Sequence, residues 1–359
     1  MSNRFYIFLI AFFYCSFLFS QKKDPLKAEN HQDQKHWVDS LYNSMILKEK
    51  VAQLFVLQLM TKNDNSNLIY KQISENKIGG IILSNGSPLR MAETINKMQS
   101  ISNIPLLIGI DAEWGLKMRI DSTMKFPWNM SLGAIKHNSL LERVGGSIGK
   151  HCKRMGIHIN FAPVVDINTN PSNPIIGNRS YGEDKFNVTN KAVSFTKGMQ
   201  EEGVLACAKH FPGHGDTSKD SHKTLPTIGF KKKRIMDVEL YPYRTLIKEG
   251  LASVMIAHLN VPSLESNDDF PSSLSKKIVT GLLKDRLKFK GLIITDALGM
   301  KGVTSYDKEN IDLMAFKAGN DVLLMSGDIN VGISSIVNAY KSNEISEKRL
   351  QHSVKKILK

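Results

Sequence analysis

The densest group of chemically active side chains lies in residues 209–222, which read KHFPGHGDTSKDSH. Three histidines and two aspartates fall within these fourteen residues. Histidine titrates near neutral pH, and a carboxylate can attack carbon or accept a proton, so the segment is suited to acid–base or covalent catalysis. Its two glycines and one proline are typical of a long loop, and long loops often carry function.

Two other kinds of site are disfavoured. Histidine and aspartate can bind metal, but their spacing matches no zinc signature and the sequence contains no HExxH motif. We therefore expect no metal ion and no other cofactor. A serine nucleophile is disfavoured because the sequence has no GxSxG motif. A cysteine nucleophile is disfavoured because neither Cys152 nor Cys207 lies in the sequence context of a catalytic cysteine. Carboxylate and histidine chemistry remains, for which glycoside hydrolysis is a natural candidate.

Eight short apolar runs, rich in β-branched residues, are predicted to form the strands that position these side chains. They are residues 51–59, 79–84, 104–111, 159–166, 204–211, 252–259, 292–297 and 321–326. Longer stretches with helical spacing lie between them. They are residues 88–101, 139–155, 187–202, 232–249, 275–287 and 307–318, with a closing helix at 344–359.

The alternation of strands and helices predicts an α/β fold with parallel strands, and eight units match a single-domain (β/α)₈ TIM-like barrel. An open doubly wound sheet is the alternative, but no glycine-rich dinucleotide motif follows the first strand. Active sites of such barrels lie at the carboxyl ends of the strands. Five predicted strands end in polar residues, namely Asp111, Asp166, Lys209 with His210, His258 and Asp296.

Three segments carry a resemblance to a known family. They are residues 209–226 with the pattern KHFPGHG…DSH…LP, residues 173–184 (NPIIGNRSYGED) and residues 294–300 (ITDALGM). Together they resemble the NagZ-type branch of glycoside hydrolase family 3, and the resemblance runs from about residue 45 to the C-terminus. It implies a retaining exo-β-N-acetylglucosaminidase acting on peptidoglycan-derived or chitin-type oligosaccharides.

The resemblance also implies roles for particular residues. Asp296 would be the nucleophile, and His222, paired with Asp220, the acid/base. The residues that match sugar-binding positions are Asp111, Arg119, Arg179, Lys209 and His210. Physical chemistry agrees, since a strand-end carboxylate can form a glycosyl-enzyme and a histidine can give and later take a proton. His214 belongs to the motif but is expected to brace the loop.

Residues 111–119 (DAEWGLKMR) depart from the family pattern, which is closer to DxEGGRVxR. Trp114 stands where the pattern has glycine, and Leu116 stands where it has arginine. We expect Trp114 to face the outer part of the cleft and to influence aglycone preference, with packing inside the loop as the alternative.

Three other functions remain open. A family 3 β-glucosidase usually has a second α/β domain and takes its acid/base from outside the barrel, and we expect no such domain here. A phosphorylase is possible, because a neutral histidine does not repel phosphate as a carboxylate does. A non-catalytic protein that binds amino sugars is the alternative of another class.

The N-terminus has the pattern of a signal peptide, residues 1–20. Arg4 precedes an apolar run at 6–19, broken only by Cys15 and Ser16, and charged residues begin at Lys22. We expect cleavage near residue 20 and an exported, periplasmic or secreted bacterial protein without stable membrane insertion, an uncleaved anchor being the alternative. Residues 21–40 are predicted to be a polar tail, and 41–359 the barrel.

Composition is that of a globular protein, with 42% hydrophobic and 23% charged residues. The net charge of +14 is spread along the chain, with 231–234 as the one dense basic run, and predicts a solvated basic face. No nucleic-acid-binding motif is present, so we expect carbohydrate as the partner and no nucleic acid. We expect a monomer, and two buried thiols at Cys152 and Cys207 instead of a disulfide.

Overall fold

A computed structural model describes residues 24–60, 65–219, 224–304, 306 and 311–359. The predicted signal peptide and the predicted acid/base pair Asp220 and His222 lie outside the described residues. Among the helices that are described, none is both long enough and apolar enough to span a membrane.

The described residues form eight strands, each within or beside a predicted apolar run. They are β1 (Phe55–Met60), β2 (Gly80–Ser84), β3 (Leu107–Ile110), β4 (Ile159–Asn160), β5 (Leu205–Phe211), β6 (Ser253–Ile256), β7 (Leu292–Thr295) and β8 (Leu323–Leu324). All neighbouring pairs are parallel, in the order β7-β6-β5-β4-β3-β2-β1-β8.

Hydrogen bonds between β7 and the residue before β8 close the ring. Ile293 O accepts the Val322 N–H at 3.0 Å, and Val322 O accepts the Thr295 N–H at 3.1 Å. With β8 also paired to β1 through Phe55 and Val56, every strand has two neighbours. The predicted (β/α)₈ TIM-like barrel is therefore confirmed.

The helices surround the strands. They are α1 (His31–Ser44), α2 (Leu47–Ala52), α3 (Ser66–Asn76), α4 (Pro88–Ile101), α5 (Asn129–Gly133), α6 (Asn138–Arg154), α7 (Lys185–Glu201), α8 (Lys232–Asp237), α9 (Tyr241–Lys248), the π-helix α10 (Lys277–Arg286), α11 (Lys301–Thr304), α12 (Ile311–Ala318), α13 (Ile329–Lys341) and α14 (Glu347–Leu358). Helices α2, α3, α5, α11 and α13 were not predicted from the sequence, and α2 takes up the first two residues of the predicted strand 51–59.

Helix boundaries differ from the prediction in two places. The stretch 232–249, predicted as one helix, forms α8 and α9, because Pro242 has no N–H to donate within a continuous helix and instead lies in the first turn of α9. Helix α1 begins at His31, inside the predicted tail 21–40, and its residue Tyr42 donates a hydrogen bond to Glu347 of α14 at 2.5 Å.

Two apolar layers hold the barrel together. The outer layer lies between strands and helices and includes most of the buried side chains. The inner layer fills the barrel with residues such as Val56, Ile159 and Met255. Leu26, which precedes α1, belongs to this inner layer together with strand-opening residues such as Leu292, so the N-terminal segment closes the amino-terminal end of the barrel. Each of these apolar side chains contributes about 1.5 to 3 kcal/mol by its burial.

The predicted absence of a disulfide is confirmed, since Cys152 and Cys207 are both buried free thiols. Burial raises the pKa of each thiol to about 12, which keeps both protonated at neutral pH.

A buried carboxylate, near the point where β7 and β8 close the barrel, connects the last helix to the strands. Asp321 is fully buried and precedes β8, and its Oδ2 accepts hydrogen bonds from Lys356 Nζ at 2.7 Å and from the Ile293 N–H at 3.1 Å. Arg349 Nη1 lies 3.5 Å from Oδ1. Burial alone would raise the pKa of Asp321, but Lys356, Lys284 and Arg349 hold it well below its usual value.

We predict that Asp321→Asn destabilises the fold by about 3 to 5 kcal/mol, because it leaves buried cations without their carboxylate. Since the folded-state pKa is depressed, this stability is present above the unfolded-state pKa of about 3.9 and is lost as pH falls towards the folded-state pKa. Chemical denaturation at several pH values should therefore show that the difference in unfolding free energy between wild type and variant becomes smaller below about pH 4. Asp237→Asn, which removes an exposed pair with Lys233, is the control and should change stability little.

Candidate active site

The carboxyl ends of the strands surround a cavity of about 590 Å³. It contains the six predicted site residues that the structure describes, namely Asp111, Arg119, Arg179, Lys209, His210 and Asp296. They come from segments that follow or end β3, β4, β5 and β7. Residues far apart in the sequence therefore meet at the end of the barrel where active sites of this fold lie.

Lys209 is the buried cation at the centre of the cavity wall. Its Nζ donates to Asp111 Oδ1 at 2.7 Å and lies 2.8 Å from Glu113 Oε1. Burial alone would lower the pKa of Lys209, but the two carboxylates outweigh that effect and raise it. Lys209 is therefore charged at neutral pH. Asp111 has a second cationic partner, because Arg119 Nη2 donates to its Oδ2 at 2.9 Å.

Arg179 is held by the fully buried Glu113 in a two-point contact. Its Nε donates to Oε2 at 3.0 Å and its Nη2 to Oε1 at 2.8 Å. Burial favours the neutral acid, but Arg179 and Lys209 lower the pKa of Glu113 to about 2. A planar guanidinium gripped in this way has a fixed direction, so it can present its remaining N–H groups to a ligand.

The loop that carries Arg179 is fastened to the loop after β5. Asn173 Oδ1 accepts the N–H groups of Ile175 and Ile176 at 2.9 Å, and its Nδ2 donates to His214 O at 2.8 Å. The two motif segments recognised in the sequence therefore support each other directly.

His210 is oriented by Asp166 at the end of the fourth predicted strand. The ring Nδ1 lies 2.7 Å from Asp166 Oδ2, and the ring Nε2 lies 3.3 Å from Arg179 Nη2. Side chains of consecutive strand residues normally point to opposite faces. Here the pairing of β5 with β6 shifts between Ala208 and Phe211, and both Lys209 and His210 line the cavity.

His214 is 1% exposed, and its polar groups contact both its own loop and the end of the fourth predicted strand. Its N–H donates to Asp166 Oδ1 at 2.7 Å, and its ring Nδ1 lies 2.6 Å from Thr217 Oγ1. Burial and the neighbouring His210 lower the pKa of His214 to about 4, so the ring is neutral at pH 7. These contacts fit the bracing role expected from the sequence.

Asp296 follows β7 and faces the cavity. Its N–H donates to Ile256 O at 2.8 Å, and its Oδ1 accepts the Ala297 N–H at 2.8 Å. Burial would raise the pKa of Asp296, but His210, His258, the Ala297 N–H and Lys209 outweigh it, so the pKa lies below its usual value. The carboxylate is therefore ionised at neutral pH and available as a nucleophile.

The described residues on either side of Asp220 and His222 are anchored near the cavity. Asn170 Nδ2 donates to Thr217 O at 3.3 Å. On the other side Pro226 O accepts the N–H of Asn260 at 2.9 Å, beyond the end of β6. The described residues that flank 220–223 on both sides therefore lie at this end of the barrel.

Contacts within the structure explain why the loop 111–119 can differ from the family pattern. Trp114 lines the cavity and packs on Trp128 with ring centroids 4.2 Å apart. Gly115 has a φ of 89°, and a Cβ there would meet Phe126 Cδ2 at 2.7 Å, so glycine is required. Leu116 is 4% exposed, so it packs in the core and adds no charge to the cavity.

Three residues of this site received no role from the sequence. They are Glu113, which holds Arg179 and Lys209, Asp166, which orients His210, and His258, whose Nε2 lies 3.0 Å from Ala297 O. Their positions were visible as strand-end polar residues or as the second acid of the 111–119 pattern. Their partners were not, because each contact joins distant parts of the chain.

Comparison with known proteins gives consistent relatives. Beta-hexosaminidase A of Pseudoalteromonas piscicida is 33% identical over 320 residues, which are 80% of this chain and 54% of that protein. The structure of a family 3 beta-N-acetylglucosaminidase from Paenibacillus sp. str. FPU-7 matches with a TM-score of 0.82 and 36% identity, over 88% of this chain and 62% of the other.

A third match is the beta-glucoside phosphorylase BglX bound to 2FGlc, with a TM-score of 0.85 and 27% identity, over 91% of this chain and 60% of the other. The chain thus spans between 54% and 62% of the length of these three relatives. The sequence model for the glycosyl hydrolase family 3 N terminal domain matches residues 46–359. That match covers most of the sequence, and the chain therefore belongs to glycosyl hydrolase family 3.

Proposed function

We propose that this chain is a retaining exo-β-N-acetylglucosaminidase that removes terminal N-acetylglucosamine from peptidoglycan-derived or chitin-type oligosaccharides. The observation that carries the proposal is the convergence on one cavity of Asp296 with Asp111, Arg119, Arg179, Lys209 and His210. The names of two relatives, a beta-hexosaminidase and a beta-N-acetylglucosaminidase, support the choice of sugar. We further propose that the protein is exported, on the signal-peptide pattern of residues 1–20.

In the proposed mechanism the ionised Asp296 attacks the anomeric carbon while the bond to the leaving oxygen breaks. His222, oriented by Asp220, gives that oxygen a proton. Water then attacks the glycosyl-enzyme, His222 takes the water proton, and Asp296 is released. Two displacements at one carbon retain the β configuration. Arg179, Lys209 and His210 hold sugar hydroxyls, since their orientation is fixed by Glu113 and Asp166.

Phosphorolysis is the second candidate, because the chain is similar to a beta-glucoside phosphorylase. Turnover of 4-nitrophenyl β-N-acetylglucosaminide, with and without phosphate, separates the two. Hydrolysis predicts free N-acetylglucosamine, released first as the β anomer, at a rate that phosphate leaves unchanged. A sugar 1-phosphate as the main product would establish phosphorolysis, and faster turnover of the matching β-glucoside would overturn the choice of sugar.

We predict that Asp296→Ala and His222→Ala fail in different ways. Asp296→Ala should be nearly inactive on every substrate, because no glycosyl-enzyme can form. His222→Ala should lose about 10² to 10⁴ in the first step with natural sugars, whose departing alcohol needs a proton, and much less with 4-nitrophenol as leaving group. Pre-steady-state bursts measure that step.

Azide supplies the matched control for His222→Ala, because it attacks the glycosyl-enzyme without needing a base. It should restore turnover in His222→Ala and leave Asp296→Ala inactive. Equal losses of His222→Ala on natural and activated substrates would show that His222 is not the acid.

We predict that Glu113→Gln weakens both the site and the fold. Arg179 and Lys209 lose a shared buried carboxylate, which should cost about 3 kcal/mol of unfolding free energy and at least about tenfold in kcat/KM. Glu142→Gln, which removes a surface pair with Lys197, should change stability by no more than about 0.5 kcal/mol. Kinetics and urea denaturation of both variants test this, and a stable Glu113→Gln enzyme with unchanged kcat/KM would contradict it.

We predict that Trp114→Ala changes the ranking of substrates that differ only in the aglycone, because Trp114 offers an aromatic face to the cavity. Trp114→Phe keeps an aromatic ring and should preserve the ranking. The comparison is made on kcat/KM for aryl, sugar and sugar–peptide aglycones. If Trp114→Ala lowers all three values equally, the side chain serves only to pack on Trp128.

A further inference from the structure

The amino-terminal end of the barrel carries a concave surface rich in lysine. A cavity of about 780 Å³ opens there between the N-terminal segment, α1, α10 and α14. We define the basic groove by six of the lysines in its wall, Lys27, Lys284, Lys290, Lys348, Lys355 and Lys359.

The basic groove lies at the end of the barrel opposite Asp296. Lys27 follows Leu26, which packs in the barrel interior beside the opening residues of β3, β5 and β7. Lys290 comes two residues before β7 begins. A ligand in the basic groove would therefore leave the catalytic cavity open.

The groove is elongated. A second cavity of about 810 Å³ shares Lys284, Lys348 and His352 with it and adds further cations, including Arg349. Along α14, basic side chains recur every three or four residues at Lys348, His352, Lys355 and Lys359. That spacing puts them on one helix face, over about 16 Å at 1.5 Å per residue. A linear ligand matches this pattern better than a compact one.

The basic groove has more lysines than its own carboxylates can pair. Lys27, Lys290 and Lys348 are exposed, and none forms an ion pair with a carboxylate in the part of the chain that the structure describes. The acids of the wall, Asp24 and Asp39, are already paired with lysines. Burial, together with the positive charge of neighbouring basic side chains, lowers the pKa of Lys284 to about 8.

We propose that the basic groove binds a linear polyuronate, a glycan with carboxylates along its length. Carboxylates can pair with the successive lysines, and the amide of Gln351 in the wall can bond hydroxyls. A flat bilayer cannot enter a concave groove as an extended chain can. Single-stranded nucleic acids are held by aromatic side chains that stack on their bases, and Phe289, the one phenyl or indole ring among the described wall residues, is 5% exposed.

The test is calorimetric titration of the full chain with oligogalacturonate at low salt and pH 7. The groove variant combines Lys27→Gln, Lys290→Gln and Lys348→Gln. The control variant combines Lys136→Gln, Lys231→Gln and Lys232→Gln, which removes the same charge from exposed positions away from the groove, including the densest basic run of the sequence. We expect about tenfold weaker binding for the groove variant, no more than about twofold for the control, and weaker binding of the wild type as salt rises.

Three results would overturn the proposal: no binding of oligogalacturonate by the wild type, equal losses in the two variants, or tighter binding of oligothymidylate or phosphatidylglycerol vesicles. Thermal melting checks that both variants fold, and Lys348→Gln alone replaces the groove variant if it does not. Turnover of the 4-nitrophenyl substrate should be unchanged in the groove variant. An inactive wild type that still binds oligogalacturonate would count against the proposed catalytic function and leave this proposal standing.

Discussion

The cavity at the carboxyl ends of the strands is organised around one buried ammonium group. Lys209 is 2% exposed and lies between the carboxylates of Asp111 and Glu113, at 2.7 and 2.8 Å. Each carboxylate has a second cation, Arg119 for the first and Arg179 for the second. Desolvating an ion costs several kcal/mol unless opposite charges offset it, so acids and bases here must alternate. Removing Glu113 leaves Arg179 without its carboxylate, and removing Asp111 does the same to Arg119.

This alternation keeps Asp296, the proposed nucleophile, free of a strong partner. Lys209 and Arg179 are engaged by Glu113, and no ion pair joins Asp296 to a cation within the described residues. The surrounding positive charge still holds Asp296 ionised from a distance. At the other end of the barrel Asp321 is surrounded by Lys284, Arg349 and Lys356, which lie against it directly. Buried charge there joins α14 to the strands, whereas buried charge beside the cavity leaves one side open to a ligand.

Much of this arrangement was predictable from the sequence. Apolar runs of strand length predicted the eight parallel strands. Because the carboxyl ends of barrel strands meet at one end of the barrel, Asp111, Lys209 and Asp296 were expected to lie together. The role of Glu113 was not predictable, because its partner Arg179 lies 66 residues away and pairing across that distance depends on the three-dimensional fold. The docking of α1 and Leu26 was hidden for a related reason. Their segment is polar in composition, and only its few apolar residues meet the barrel.

The 111–119 loop shows how a departure from a family pattern can be internally consistent. Trp114 stands where the pattern has glycine, and it has an aromatic partner in Trp128. Gly115 keeps the left-handed backbone that lets Phe126 pack against it, and the Phe126 N–H donates to Trp114 O at 3.0 Å. Leu116 turns into the core in place of an arginine. The two changes fit together, because Trp114 adds an aromatic side chain to the cavity wall while the uncharged Leu116 packs in the core. If the cavity binds a sugar as proposed, the part of the ligand beyond that sugar meets a surface that favours stacking over ion pairing.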